Sequence, residues 1–432
     1  MIFSPSFSIR RRVLALSRRG QIRLIFVAGG LAVGVAAVGF ALLADAMGAL
    51  FQDLLAWQPL APLVVTPLGF VVANLAARHL FPNSQGSGIP QVIAARALQD
   101  ETARHRLVSL RVAFGKVMLT GLGLLCGASI GREGPTVQVG ASVMYAVGHI
   151  SKRHQRGLVL AGAAAGVAAA FNAPLAGIVF AIEEMSRAFE ARTSGLVIGT
   201  VICGGLVSLA WLGDYTYFGM SSVALHGAPV WLAVPVCGGV GGLLGGVFSR
   251  LMLLAGEIGH LRVGGWMQRH PALFAGVCGL GVALCGLASA NQIYGTGYAS
   301  VLHLLSGQDA PPADFGVLKF AATLLSAISG IPGGIFSPSL SVGAGIGRNL
   351  FDVFAIAPMP AMVVLGMVGY FAGVVQAPIT AFVIVTEMTG DHALLVPVML
   401  TAMIGHSASR LVCREGIYHA LSRRFLPVDA GH

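Results

Sequence analysis

Apolar residues run in long unbroken stretches along this chain, for example over Gln21 to Ala46, Leu107 to Ile130, Phe315 to Ile331 and Ala361 to Val385. At 1.5 Å of rise per residue, such runs cross or nearly cross the roughly 30 Å of a bilayer's hydrocarbon. They do not alternate polar and apolar positions as barrel strands do. The pattern therefore predicts an all-α, polytopic membrane protein. Residues 1–20 read as a cytoplasmic N-terminal segment, 21–425 as the transmembrane domain and 426–432 as a short C-terminal tail.

Composition points the same way. Of 432 residues, 56% are hydrophobic and only 10% charged, against about 25% charged in soluble domains, whose surface must be solvated. The net charge of +10 raises the question of nucleic acid, but the basic residues sit in short loops beside apolar runs. The groups are Arg10 to Arg12 with Arg18 and Arg19; Arg104, Arg106 and Arg111; Lys152, Arg153 and Arg156; and Arg414, Arg423 and Arg424. They mark four cytoplasmic regions, with both termini inside and no nucleic-acid role. The apolar stretch before Arg10 is too short for a cleaved signal, so the first span is retained. Six cysteines lie scattered without CxxC pairing and read as small core residues, and no HExxH or GxxxxGK[ST] pattern occurs. No metal, cofactor or enzymatic chemistry is signalled.

An internal repeat is the most informative feature. Asn172-Ala173-Pro174-Leu175, running on to Glu183, matches Gln376-Ala377-Pro378-Ile379, running on to Glu387, at a shift of 204. Gly131-Arg132-Glu133-Gly134-Pro135 falls on Gly334-Ile335-Phe336-Ser337-Pro338 at a shift of 203, and Gly86-Ser87-Gly88 falls more loosely on Gly295-Thr296-Gly297. Three matches in order indicate a duplication, with halves near 60–212 and 228–410, and transporters of this kind hold their substrate between the halves. GSGIP, GREGP and GIFSP are glycine breaks with a proline four residues on, which suits helices that start inside the bilayer. Helix starts expose N–H groups and a positive dipole end, so several converging make an anion site. Gly241, Gly242, Gly245 and Gly246 read instead as helix packing.

Charges inside spans cost at least a few kcal/mol and call for a role. Glu133 lies within the GREGP break, where its carboxylate can take the N–H groups that a free anion would use. Protonation removes that claim, which links anion entry to proton uptake at one side chain. A salt bridge with Arg132 is the bland alternative, although neighbours at a helix start diverge. Glu183 and Glu184 are either ordinary interfacial acids or the inner station of a proton route. Lys116 is either a snorkelling lysine or a counter-charge for the anion path, and Tyr418 by composition alone is an interfacial tyrosine.

The ordered set GSGIP, GREGP, FNAPLAGIVFAIEEM, GIFSP and Tyr418 resembles the CLC family of chloride channels and chloride/proton antiporters, over essentially the whole chain. The resemblance implies a homodimer in which each subunit carries a complete pathway, built as an inverted repeat of tilted and broken helices. It implies a central anion held by the hydroxyls of Ser87 and Tyr418 and the N–H groups of Ile335 and Phe336. An outer site would form at the backbone of Arg132, Glu133 and Gly134. Glu133 resembles the family's gating glutamate and Glu184 its internal proton glutamate, with Glu183 a secondary candidate on the proton path. Serine in GSGIP resembles the chloride-preferring pattern, where nitrate-preferring members have proline and fluoride exporters asparagine. The implied function is exchange of chloride for protons, with a passive chloride channel of the same family as the rival. The transported ions are chloride and protons, with no cofactor. Only 14 residues follow Tyr418, so the paired nucleotide-binding regulatory domains of some members are not expected. The compact chain is similar to bacterial members of an inner or plasma membrane.

Overall fold

The computed structural model describes residues 5–148, 154–186, 194–213, 218, 227–257, 262–307, 311–391 and 393–427. Lys152, Arg153 and the charged stretch 187–192 lie outside them, as do the side chains of Arg10 to Arg12, Arg18 and Arg19. The described residues form nineteen α-helices and no strand beyond two isolated bridges. A first series comprises α1 (Pro5–Trp57), α2 (Pro62–His79), α3 (Ile89–Ala97), α4 (Glu101–Leu107), α5 (Leu110–Leu125), α6 (Glu133–Val147), α7 (Gln155–Phe171), α8 (Pro174–Phe180) and α9 (Ser194–Leu212). A second comprises α10 (Ala233–Glu257), α11 (Arg262–Arg269), α12 (Pro271–Ala288), α13 (Tyr298–Ser306), α14 (Phe315–Ile328), α15 (Phe336–Phe354), α16 (Met359–Val375), α17 (Pro378–Thr389) and α18 (Leu395–Val412), and α19 (Ile417–Ser422) follows it. Among the described residues, six helical segments, from Gly20–Trp57 to Leu395–Val412, are long and apolar enough to span a membrane.

The two series pack alike. Helix α1 lies on α7 and α9 as α10 lies on α16 and α18, α6 lies on α7 as α15 lies on α16, and α2 lies on its own counterpart α12. The correspondence therefore reaches α1, before the residue 60 at which the repeat match begins. Helix α1 itself starts at Pro5 without a break, while its membrane-spanning apolar part runs from Gly20 to Trp57. Its 53 residues extend for about 80 Å, far more than a bilayer needs.

Not every apolar run is one helix. The stretch Ala361 to Val385 splits into α16 and α17, with Gln376 at a left-handed φ of 59°. Pro378 brings no N–H and pushes Ala377 out of helical geometry, to φ −122° and ψ 82°, which stops α16 there. Gln376 is tied down by donating to the Cys413 carbonyl at 2.6 Å. Asn172, at φ 53°, and Pro174 divide α7 from α8 in the same way. Both α7 and α16 are buried along nearly their whole length, and these helices, uncharged apart from Arg156 in the first turn of α7, form the interior. The glycines of α10 do pack: a side chain at Gly242 would meet Gly405 of α18, and one at Gly245 would meet Tyr370 of α16.

Candidate functional site

The three glycine breaks meet at one point. Gly131 and Gly334 exchange both backbone hydrogen bonds, the N–H of each donating to the carbonyl of the other at 2.8 Å. Gly86 donates to the Ile331 carbonyl at 3.1 Å and accepts from Gly333 at 3.0 Å. From this knot α3 departs at Ile89, α6 at Glu133 and α15 at Phe336. Glycine is required because the backbones nearly touch: a Cβ on Gly334 would stand 2.9 Å from Pro135 Cδ and 3.0 Å from the Gly131 carbonyl oxygen.

Two buried lysines hold the loops of the breaks. Lys116 donates to the Gly86 carbonyl at 2.9 Å and reaches that of Gln85 at 3.4 Å. Its counterpart Lys319 donates to the carbonyls of Ile293 and Gly295, both at 2.7 Å. Lys116 is fully buried and so does not snorkel; its charge is spent on loop carbonyls that no helix can satisfy.

Around the knot lie the residues of the implied anion site. Ser87 sits beside Gly134, where a Cβ would come within 3.1 Å of the serine Cβ. Ile335 is the N-cap of α15, so the N–H groups of its first turn have no partner within the helix. The Phe336 ring is fixed by edge contacts to Phe180, Phe371 and Tyr418, with centroids 6.1, 5.2 and 5.8 Å away. Tyr418 is buried, and its hydroxyl has no hydrogen-bond partner among the described residues. That hydroxyl lies within electrostatic range of both Glu133 and Glu184.

Glu133 is wholly buried and turns back against the start of the other repeat's helix. Its carboxylate lies beside its own backbone N–H and beside the backbone N–H and hydroxyl of Ser337 in the first turn of α15, without completing an aligned hydrogen bond. A side chain on Gly131 would strike it. Arg132 does not take it as a salt-bridge partner: its Nη1 lies 2.6 Å from Asp45 and donates at 2.8 Å to the Ala41 carbonyl on α1. Arg132 and Asp45 line a cavity of about 960 Å³ together with residues 290–292 and 294–300.

Beyond Tyr418 lies Glu184, buried in the π turn Ala181–Ser186 that extends α8. Wide turns of this kind recur at functional sites because they re-aim a side chain. His419 Nε2 lies 3.0 Å from the Glu184 carbonyl and 3.8 Å from its carboxylate. A cavity of about 410 Å³ brings Glu183, Glu184, His406 and His419 to one wall. Glu183 has both oxygens engaged, accepting from the N–H groups of Ile379 at 3.0 Å and Thr380 at 2.6 Å. The larger cavity thus reaches Arg132, the smaller one reaches Glu184, and Tyr418 lies within electrostatic range of both Glu133 and Glu184.

Sequence reasoning missed His419, Asp45 and Lys319. The repeat offset places Lys319 opposite Lys116, a usable signal; His419 and Asp45 carry no pattern of their own. Glu387 entered only as a repeat marker, though it mirrors Glu183.

A family model for the voltage gated chloride channel matches residues 68–410. The chain is 31% identical over 393 residues to the H(+)/Cl(-) exchange transporter ClcA of Klebsiella pneumoniae strain 342, covering 84% of this chain and 80% of that protein. Its fold is similar to that of a slow cyanobacterial Cl-/H+ antiporter, with a TM-score of 0.78 at 24% identity over 93% of this chain and 97% of the other. It is likewise similar to a CLC-type fluoride/proton antiporter, with a TM-score of 0.79 at 21% identity over the same shares.

Proposed function

Because this chain belongs to the voltage-gated chloride channel family, we propose that it is a secondary active transporter exchanging chloride for protons across the membrane. The observation that carries this reading is the Glu133 carboxylate against the first turn of α15, with the buried Tyr418 hydroxyl within electrostatic range of both it and Glu184. A carboxylate in that seat holds the N–H groups and dipole end that a chloride ion would otherwise use.

In this reading the central chloride is held by the hydroxyls of Ser87 and Tyr418 and the N–H groups of Ile335 and Phe336. An outer position uses the backbone of Arg132, Glu133 and Gly134. Chloride arriving there displaces the Glu133 side chain, and a proton neutralises the displaced carboxylate, which removes the penalty of a bare charge within the membrane. The proton leaves toward Glu184. Because carboxylate and chloride compete for one seat, each ion's movement requires the other's. Glu183, with both oxygens given to α17, serves to hold the two repeats, and Glu184 carries the proton. No cofactor takes part.

Serine at position 87 supports chloride over nitrate or fluoride as the preferred anion. The basic residues near 414–424 support a cytoplasmic side for the Glu184 cavity in an inner or plasma membrane, with both termini inside. A homodimer agrees with exposed apolar residues on α8, α9, α17 and α18, including Leu175, Leu206, Ile379 and Met403, a face that pairing would bury.

The test is efflux from chloride-loaded liposomes with chloride and external pH recorded together, for the wild type, Glu133→Gln and Glu184→Gln. Proton movement against its gradient in the wild type, lost in both variants while chloride still passes, is the expected result. Chloride efflux without proton movement in the wild type identifies a passive channel and removes the proton role from Glu184.

A further inference from the structure

Where α10, α18 and α19 come together, a separate cavity of about 720 Å³ is walled by arginines. Arg250 comes from α10, Arg414 from the loop after α18, and Arg423 and Arg424 from the turn after α19. Four arginines face one acid, Glu415, which pairs with Arg423 at 2.9 Å. Among the side chains described, Arg250, Arg414 and Arg424 have no acidic partner. The Arg424 guanidinium lies over Gly256 of α10, where any side chain would collide with it.

A topology signal requires basic residues in a loop, and it does not require them to converge from three separate elements on one hollow. Like charges gathered at short range repel, and the arrangement is stabilised when an anion sits among them. All four cations are arginines, whose planar fork matches phosphate oxygens two at a time, as a lysine ammonium does not. The same wall carries apolar groups: Leu253 and Leu411 border the cavity, and Leu411 is 83% exposed. A basic hollow with an apolar lip at a membrane boundary matches a phosphate headgroup attached to acyl chains.

We propose that this cavity binds a phosphate-bearing anion through Arg250, Arg414 and Arg424. The two sources of that chemistry are an anionic lipid headgroup and free phosphate, and the apolar lip favours the lipid.

Native mass spectrometry of the purified full chain tests this, titrating dioctanoyl phosphatidic acid, dioctanoyl phosphatidylcholine or inorganic phosphate into the wild type and the Arg250→Gln/Arg424→Gln double variant. The expected result is phosphatidic acid bound in preference to phosphatidylcholine, and bound at least about tenfold more weakly by the variant, the size of losing one charge-assisted contact. Displacement of the lipid by millimolar inorganic phosphate assigns the site to free phosphate, and retention assigns it to the headgroup. Equal binding of the two lipids, or equal binding by wild type and variant, overturns the proposal. Arg414→Gln alone, at an exposed position outside any helix, carries the same expectation with a smaller loss and serves if the double variant does not fold.

Discussion

Glu183 and Glu387 make the same pair of hydrogen bonds, each to the opposite repeat. Glu183 accepts from Ile379 and Thr380 at the start of α17, at 3.0 and 2.6 Å. Glu387 accepts from Leu175 and Ala176 at the start of α8, at 3.1 and 2.6 Å. Each carboxylate thereby caps a helix whose N-terminal proline leaves the next N–H groups without partners. The reciprocity is a local two-fold axis written in side chains.

Removing either cap orphans two N–H groups and one charge interaction. Glu183→Ala and Glu387→Ala should each destabilise the protein by about 1–3 kcal/mol, with neither abolishing proton coupling by itself. Thermal unfolding in detergent, paired with the liposome flux assay, checks both halves of this expectation. Loss of proton coupling in Glu183→Ala at unchanged stability would return Glu183 to the proton path.

Tyr418 buries a hydroxyl with no partner among the described residues, on a ring packed against Phe336, so in the proposed site Tyr418→Phe removes one donor to an anion. A hydrogen bond to a charged group is worth about 1.5–3 kcal/mol, so chloride affinity measured by calorimetry should fall at least about tenfold. The Phe336 ring contact survives the change, which keeps the fold intact.

His419 lines the 410 Å³ cavity beside Glu184. An imidazole whose ordinary pKa is about 6.5 can pass protons near neutrality. His419→Gln keeps a side-chain donor for the Glu184 carbonyl but cannot carry a proton. Exchange should slow several-fold, with the ratio of chloride to protons unchanged, and the pH profile of turnover should flatten. An unaltered profile would reduce His419 to a bracket for the turn.

Lys116→Met and Lys319→Met should be close to equivalent, because each lysine closes the loop of one break. Methionine fills the space but removes the ammonium donor from the carbonyl of Gly86, which keeps its bond from Gly333, or from that of Gly295, at about 1–3 kcal/mol each. A lowered unfolding midpoint for both variants, compared side by side, is the measurement. A large effect on only one would show that the repeats are held differently.

Much of this was legible along the chain because its signals are local. Continuous apolar runs declare a helical membrane protein, since backbone polar groups in lipid must be satisfied within the segment. Glycine and proline spacing marked the starts of α3, α6 and α15, because those residues act on their own φ angles and N–H groups. The offset of 204 exposed the duplication, since it needs only a comparison of the chain with itself.

What the tertiary structure alone decided involves partners distant in sequence. Arg132 meets Asp45 across 87 positions, Glu183 meets Thr380 across 197, and His419 meets Glu184 across 235. Such pairings depend on how helices far apart in the chain pack together, and no short window of sequence contains both members. The amino-acid order thus determined that breaks and buried charges would exist. Their convergence came from packing, because the backbone bonds of Gly131 with Gly334 and of Gly86 with Ile331 and Gly333 bring three helix starts together.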